Sequence, residues 1–303
     1  SRAGITFRPL PQDEPRQRRP NIERATLSNG MEVFFAKRDS VPVVSVRVAF
    51  DVGYAADPRD RLGLQSLMLQ LMDEGTTSLD SAALAVRRET LGASVYGYAD
   101  ADTTTFGLDA ITPNLLPSLN LLADYIRNPA FNANELERVR AQQLTRITNE
   151  LNDPGSIGQR ALLPIIFGDQ HPYGIPPSGT GDAAVVANVT KEEIADFHRA
   201  WLRPDLGRVF VVGDTSLNEA VKLLEASFGD WQAPNVPAPA KSYAAPIPTP
   251  DPKIVLINRP NSPQSIILAG RVLENVRERL AARHFIGVRR VQHIPQQRQQ
   301  ARL

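Results

Sequence analysis

The sequence predicts an α+β fold in which helices pack on an antiparallel or mixed β-sheet. Runs of strand length and β-branched composition, such as "VPVVSVRVAF", alternate with helical runs, and turn signals separate neighbouring strands. No apolar run reaches the roughly eighteen residues of a membrane-spanning helix. Of the 303 residues, 42% are hydrophobic, which is enough for a sizeable core.

The order of the predicted elements supports this class. Asn29-Gly30 predicts a two-residue hairpin turn, and Gly92 predicts a left-handed helix C-cap. Thr190 and Glu193 form a capping box that opens a helix. Strands are predicted within 25–38, 41–54, 93–111 (two strands around an Asp-rich turn) and 207–214. Helices are predicted at about 61–74, 78–92, 113–127, 134–150, 154–167, 190–201 and 216–228, with a loop over 168–189.

The composition also predicts how the chain is divided. Residues 1–20 are rich in Pro and Arg and predict an extended arm, and 21–232 predict the α+β domain. Residues 233–252 hold seven prolines and predict a semi-rigid linker. Residues 253–303 begin with two strand-like runs within 253–270 and continue into Arg- and Gln-rich sequence. They predict the opening strands of a truncated second domain, followed by a basic tail. A truncation or a shifted reading frame after residue 270 would account for the abrupt change of composition.

The charge is unevenly distributed. The overall net charge is +1, but residues 271–303 carry a net +6, residues 1–20 carry +3, and the body from 21 to 270 carries −8. An acidic body argues against a nucleic-acid surface, so no nucleic-acid partner is predicted. Because cysteine is absent, disulfides and thiolate chemistry are excluded. The composition leaves the compartment open, and an extracytoplasmic, periplasmic location is the working expectation.

The segment "GLQSLMLQLMDEGT" reads as a helix with two polar residues on an otherwise apolar stripe. Ser66 and Gln70 are one turn apart, and residues at i and i+4 lie about 40° apart around a helix. Such spacing is typical of two ligands that reach one ion, but serine and glutamine are not zinc ligands. Only four histidines exist, at successive spacings of 27, 86 and 9 residues, so no helical pair can bind a metal. The sequence predicts no metal site in this chain.

Several shorter motifs carry a structural interpretation. His171 in "HPYG" predicts a turn, and His198 predicts a partly buried histidine near Trp201. "GTGD" lacks the lysine and the context of a phosphate-binding loop. The acids Asp100 and Asp102 lack the glycine and terminal glutamate of a calcium loop, so they predict a solvated turn.

Eight segments in order give the chain a resemblance to a known family. They are "LSNGMEVFF", "VGYAADPRDRLGLQSLMLQLMDEGT", "LGASVYGYADADTTTF", "PAFNANELERVR", "HPYGIPPSGTGD", "VVGD", "FGDW" and "PNSPQSII", between about 21 and 270. The chain resembles the pitrilysin-, insulinase- and processing-peptidase-like zinc metallopeptidases. The resemblance implies a metallopeptidase-like α/β roll followed by a second, similar domain.

The resemblance also identifies the positions where the family does its chemistry. The family's helix carries H-x-x-E-H, with zinc on both histidines and a general-base glutamate, and a further glutamate ligand follows about seventy-five residues later. In this chain the corresponding positions hold Ser66, Leu69 and Gln70, and the third ligand falls on Thr145 or Arg146. One turn later Glu150 could reach the same face, but one carboxylate does not hold zinc. The resemblance therefore implies a degenerate site with no catalytic residues of its own.

One strand has a separate predicted role. In the family, the strand that matches "ASVYGYA" lies at a sheet edge beside the active site, where substrate peptide adds as a further strand. The resemblance implies that the edge strand formed by Ser94, Val95, Tyr96, Gly97 and Tyr98 binds peptide. The alternative is that this edge is merely structural, because no metal site lies beside it.

The leading hypothesis is a non-catalytic pseudo-peptidase subunit, inactive on its own. Its expected partners are a homologous zinc-bearing subunit, which supplies the zinc, and a peptide substrate. The first alternative is a structural, core-type scaffold subunit of a larger assembly. The second is a membrane- or nucleic-acid-binding basic tail, because 271–303 place apolar residues near helical spacing amid arginines. The third is an independently active hydrolase, which the missing ligands disfavour.

Overall fold

The computed structural model describes residues 21–249, 251–260 and 265–272. The strands are β1 (Glu23–Thr26), β2 (Glu32–Lys37), β3 (Val43–Phe50), β4 (Ser94–Ala99), β5 (Thr104–Ile111) and β6 (Gly207–Gly213). The helices are α1 (Leu64–Met72), α2 (Ser81–Leu91), α3 (Leu115–Arg127), α4 (Ala133–Asn152), α5 (Pro154–Phe167), α6 (Ala183–Val186), α7 (Lys191–Trp201) and α8 (Leu217–Phe228). None of the helices in this part of the chain combines the length and the apolar character that a membrane span requires. The N-terminal arm and almost all of the basic tail lie outside the described residues.

The six strands form one mixed sheet in the order β1-β2-β6-β3-β5-β4. Strands β2 and β6 are parallel, and every other neighbouring pair is antiparallel. Exposure alternates along β3 and β6, so one face of the sheet is buried and the other is open. The predicted fold class is confirmed: helices pack on a mixed sheet, and β4 is an edge strand of it.

The core lies between the buried sheet face and the helices. It includes Phe35 and Phe106 from the sheet, Met68 from α1 and Tyr125 from α3, all almost fully buried. Phe106 meets the ring of Tyr125 edge to face, with centroids 5.9 Å apart. Helix α1 packs against α4, α7 and β4, and this packing places the Ser66/Gln70 stripe beside the sheet edge.

Local signals explain most element boundaries. Gly92 ends α2 with φ +58°, as its predicted left-handed cap requires. The Thr190–Glu193 capping box is present at the start of α7. Helix α5 begins where predicted because the Asp153 carboxylate accepts a hydrogen bond from the Ser156 N–H and proline occupies the first helical position.

The structure corrects several expectations. The hairpin at Asn29-Gly30 forms, but its loop is longer than two residues, because the Leu27 N–H bonds to the Met31 carbonyl and Gly30 adopts φ +92°. The predicted loop over 168–189 contains the short helix α6. No strand is present in 251–260 or 265–272, where two were predicted; extended segments need neighbouring strands to satisfy their backbone groups. The division into arm, domain, linker and second domain stays a prediction.

Candidate functional site

The start of α1 is fixed by a buried carboxylate. Asp57 accepts hydrogen bonds from the Gly63 N–H (2.7 Å) and the Gln65 N–H (2.9 Å), so both of its oxygens cap the helix. Burial raises the pKa of Asp57 to about 7, although these two N–H groups favour its charged form. No local pattern indicates this role, because a whole turn of 3₁₀ structure separates Asp57 from the helix.

The predicted Ser66–Gln70 pair is in contact, and a third residue completes it. The Gln70 Nε2 donates to the Ser66 carbonyl (3.0 Å) and lies 3.4 Å from the Ser66 Oγ. It also donates to the Gln143 Oε1 on α4, at 2.8 Å. Gln143 is fully buried, and its Nε2 donates to the carbonyls of Gly63 (3.0 Å) and Thr180 (2.8 Å). An amide network therefore joins α1 to α4 and to the loop before α6.

The resemblance placed Thr145 or Arg146, and not Gln143, as the α4 residue beside Ser66 and Gln70. Arg146 is exposed one turn beyond Gln143, and within the described residues it makes no hydrogen bond to Ser66 or Gln70. Thr145 is also exposed, and its hydroxyl donates to the Ala141 carbonyl of its own helix. Gln143 escaped the sequence analysis because its contact with α1 depends on how the two helices lie against each other.

Glu150 is bound by partners of its own. Its Oε2 accepts hydrogen bonds from Arg160 (2.6 Å), Thr180 (2.9 Å) and Ser178 (3.1 Å). Arg160 also donates to the Thr180 hydroxyl, at 3.0 Å. These partners hold the carboxylate against α5 and the following loop, so it is engaged in structural contacts.

Helix α1 lies close to the edge strand β4 at Gly97. A Cβ on Gly97 would lie 3.4 Å from the Leu69 Cδ2 and 3.0 Å from the Phe106 ring, so β4 and α1 approach closely here. Val95, two residues earlier, is buried on the same side of the sheet. Leu69 therefore lies beside the edge strand, and Ser66 and Gln70 lie next to it on the half-buried face of α1.

The unpaired backbone groups of β4 can be assigned from its register. The Asp100 N–H donates to the Thr103 carbonyl, which makes that pair hydrogen-bonded and makes the next pair, Ala99 with Thr104, non-hydrogen-bonded. Alternation then points the N–H and C=O groups of Val95, Gly97 and Ala99 away from β5. At one end this edge is closed, because the Tyr54 hydroxyl donates to the Ala99 carbonyl at 2.7 Å.

The other side of the edge strand carries two tyrosines. Tyr96 and Tyr98 stack with ring centroids 6.2 Å apart, and Tyr98 is half exposed. Arg47 lies over the Tyr96 ring at 5.4 Å, and its Nη2 donates to both carboxylate oxygens of Asp109, at 3.1 Å each. A side chain at Gly107 would collide with the Tyr96 ring, so this glycine lets the tyrosine lie flat on the sheet.

The remaining motifs have structural roles. The His171 Nδ1 accepts from the Tyr173 N–H at 3.1 Å, which fixes the "HPYG" turn. His198 is buried with its Nε2 2.8 Å from the Ile126 carbonyl, and burial lowers its pKa to about 4. The Asp100 carboxylate accepts from the N–H groups of Asp102 (2.8 Å) and Thr103 (2.7 Å), as expected of a turn.

The donor set at the α1–α4 contact does not fit a zinc ion. Its groups are two glutamine amides and a serine hydroxyl, whereas zinc binds thiolate, imidazole and carboxylate. Among the described residues, no group of three His, Cys, Asp or Glu side chains could hold a metal ion. The amide network supplies neutral hydrogen-bond donors and acceptors instead.

Two models of one peptidase family match the chain. The model described as "Insulinase (Peptidase family M16)" matches residues 33–167, which include α1, β4 and α4. The model described as "Peptidase M16 inactive domain" matches residues 188–285.

Curated relatives are similar at low identity. The chain is 23% identical over 214 residues to the probable zinc protease PqqL of Haemophilus influenzae, covering 68% of this chain and 23% of that protein. It is 25% identical over 210 residues to the probable mitochondrial-processing peptidase subunit beta of Schizosaccharomyces pombe, covering 69% and 45%. The chain thus spans less than half the length of these relatives.

Solved structures share the fold. A peptidase M16 inactive domain from Pseudomonas fluorescens matches with a TM-score of 0.67 and 25% identity, over 73% of this chain and 53% of that chain. The periplasmic protease PqqL from Escherichia coli matches with a TM-score of 0.66 and 21% identity, over 79% of this chain and 26% of that chain. At this identity the match shows a shared fold alone. The two family models, which together match residues 33–167 and 188–285, show that the chain belongs to the M16, insulinase-like peptidase family.

Proposed function

We propose that this chain is a non-catalytic pseudo-peptidase subunit. It binds extended peptide segments along β4 and pairs with a zinc-bearing subunit of the same family, which cleaves them. The observation that carries the proposal is the hydrogen bond from Gln70 to Gln143, which joins α1 and α4 through neutral amides. The family's relatives include probable zinc proteases, so the proposal concerns this chain's residues and not the family as a whole.

The chemistry of the α1 stripe supports inactivity. Peptide hydrolysis by a metallopeptidase needs a metal-bound water and a general base near it. At the matching positions Leu69 cannot accept a proton, and neither Ser66 nor Gln70 is a zinc ligand. Within the described chain, no histidine, lysine or aspartate hydrogen-bonds to Ser66, so the serine is not activated as a nucleophile either.

The geometry of β4 supports peptide binding by strand addition. The outward-facing N–H and C=O groups of Val95 and Gly97 can pair with an extended backbone. Alternate side chains of that peptide would then point toward Leu69 and Gln70 on one side and toward Tyr96 and Tyr98 on the other. The acidic body of the chain would favour peptides that carry basic residues.

The role of a non-catalytic subunit follows from enclosure. A wall shared between two subunits holds a flexible peptide near the partner's metal and excludes folded proteins. In this arrangement the chain supplies binding surface, and the partner supplies zinc and the general base.

Reconstitution with a catalytic subunit tests the pairing. This chain is mixed with an M16 subunit from the same genome that carries an intact H-x-x-E-H motif, and elution volume and peptidase activity are measured. We expect earlier elution together with higher activity. Unchanged elution and activity would refute the pairing. A stable complex without higher activity would favour the structural scaffold over the peptidase subunit.

A backbone-modified peptide tests the edge strand. The probe is a fluorescein-labelled octapeptide of alternating lysine and valine, with fluorescence anisotropy as the readout. We expect binding to be lost when one alternate set of peptide nitrogens is methylated, and retained when the other set is methylated, because only one set faces β4. Equal binding of both methylated peptides would contradict strand addition.

A pair of matched variants locates the binding. Gly97→Val adds a side chain at the close approach to Leu69 and Phe106 and should weaken binding. Thr26→Val introduces the same side chain at an exposed position of β1, the opposite edge strand of the sheet, and should leave binding unchanged. If both variants bind as the wild type does, the peptide binds elsewhere.

Two further predictions extend this function. A periplasmic location would agree with one structural neighbour that is a periplasmic protease. In a second domain after residue 252, exposed apolar residues of that segment such as Ile254 and Leu256 would become buried, and the domain would add to the contact that Leu268 makes with α5 at Gly158. Fractionation of cells that express the tagged chain tests the location.

A further inference from the structure

The Pro-rich segment after α8 is attached to the domain at several points. We name residues 233–249 the strap. At its start, the buried Arg203 side chain donates from Nη2 to the carbonyls of Pro234 (3.1 Å) and Val236 (3.0 Å). Near its end, a Cβ on Gly168 would lie 3.4 Å from Pro248. Since prolines donate no backbone hydrogen bonds, the strap is held by side chains and carbonyls.

The middle of the strap carries its strongest contact. The Lys241 side chain is only 5% exposed, although the segment around it is largely exposed. Its Nζ donates to the Asp51 Oδ1 at 2.7 Å and to the Asp102 carbonyl at 2.8 Å. Asp51 follows β3, and Asp102 lies in the turn between β4 and β5. One buried ammonium therefore joins the strap to the end of β3 and to the β4–β5 turn, which are neighbours at one end of the sheet.

A neighbouring aromatic cluster reinforces this contact. The Tyr243 hydroxyl donates to the Asp102 Oδ1 at 3.3 Å, and the Tyr173 hydroxyl donates to the same oxygen at 2.8 Å. The Tyr243 ring lies 5.7 Å from the Tyr173 ring and 6.0 Å from the His171 ring. The turn at Asp102 is thus held from the strap and from the loop after α5.

We propose that the strap fixes the β4–β5 turn and thereby orders the edge strand, with Lys241 as a positioning residue for the peptide site. The turn is where β4 ends, and the outward groups of β4 can pair with a peptide only while the strand keeps its register. A buried amine between two oxygen partners favours this turn conformation, because a turn that moves the Asp102 carbonyl away leaves one of the amine's hydrogen bonds unmade. The proposal deepens the proposed function and rests on it for its peptide readout alone.

Hydrogen exchange in the free protein tests the positioning role without any peptide. Lys241→Met keeps the length of the side chain and removes the ammonium. We expect amides in 98–105 to exchange about tenfold faster than in the wild type, because a hydrogen-bonded charge is lost. Lys253→Met is the matched control, since that side chain is 65% exposed, and it should exchange as the wild type does. Equal exchange of 98–105 in the wild type and Lys241→Met would overturn the proposal.

Two further measurements separate the possible failures. Tyr243→Phe removes only the hydroxyl that contacts Asp102 and should give a smaller acceleration in the same amides; it keeps the test valid if Lys241→Met does not fold. With the lysine–valine octapeptide, Lys241→Met should bind several-fold more weakly than Lys253→Met, whereas faster exchange with equal binding would overturn the positioning role. If the wild type does not bind the octapeptide, the proposed function fails, and the exchange comparison still decides whether the strap orders the turn.

Discussion

Replacement of Gln143 by leucine tests whether the amide network holds α1 against α4. Gln143 is fully buried and takes part in three hydrogen bonds, two as donor and one as acceptor. Leucine has a similar volume and can make none of them. The carbonyls of Gly63 and Thr180 would then lose their donor, and the Gln70 amide would lose one of its acceptors.

The expected loss of stability follows from the buried groups that would lose their partners. A buried polar group left without its partner costs about 1–3 kcal/mol, and the burial of the leucine side chain recovers part of that loss. We therefore expect Gln143→Leu to lower the free energy of unfolding by about 3 kcal/mol. Gln142→Leu makes the same chemical change at the neighbouring, exposed position of α4 and should stay within about 0.5 kcal/mol of the wild type.

Urea unfolding followed by far-UV circular dichroism measures the difference. The two variants and the wild type are compared at one pH, and the slope of the free energy against urea is checked for constancy. If Gln143→Leu is as stable as Gln142→Leu, the network does not stabilise the α1–α4 contact.

Three further predictions concern buried titratable groups and a close backbone contact. Folding favours the neutral form of His198, because burial lowers its pKa from 6.5 to about 4. The free energy of unfolding of the wild type should therefore fall by about 2.5 kcal/mol relative to that of His198→Gln as pH falls from 6.5 to 4. The pH dependence at Asp57 is opposite, because burial raises its pKa from 3.8 to about 7 and folding favours the neutral acid. The free energy of unfolding of the wild type should therefore fall by about 2 kcal/mol relative to that of Asp57→Asn as pH rises from 5 to 7. Urea unfolding at several pH values checks both, and differences that do not vary with pH would contradict them. Gly181→Ala should lower the free energy of unfolding by at least about 2 kcal/mol more than Gly30→Ala does. Both glycines have positive φ, but of the two only Gly181 has a neighbour, the Leu62 carbonyl, with which a Cβ would collide. Equal melting temperatures for these two variants would show that the collision relaxes.

Local sequence signals predicted the elements whose ends are decided by neighbouring residues. The Asp153–Pro154 start of α5 and the Thr190–Glu193 box of α7 are formed within one turn of chain, and both were placed correctly. The hairpin at Asn29-Gly30 was also foreseen, but its loop length was wrong. Loop length depends on the Leu27–Met31 pairing, which the flanking strands determine.

Contacts between distant elements were not predictable in the same way. Asp57 caps α1 from outside the helix, and Gln143 rather than Arg146 meets Gln70. The linker was predicted as a spacer, yet Lys241 binds Asp51, which is 190 residues away in sequence. No local pattern signals such partners, because each depends on the packing of elements that are remote in the chain.

The sequence by itself determined the fold class and the order of the elements, because both follow from short-range periodicity and capping. Its resemblance to the family indicated which side chains stand at the catalytic positions. Only the tertiary structure decided which α4 residue faces α1, where the open edge of β4 ends and where the strap attaches. These features depend on how helices and strands pack against one another. That packing is determined by burial over the whole core, which cannot be predicted from any single segment.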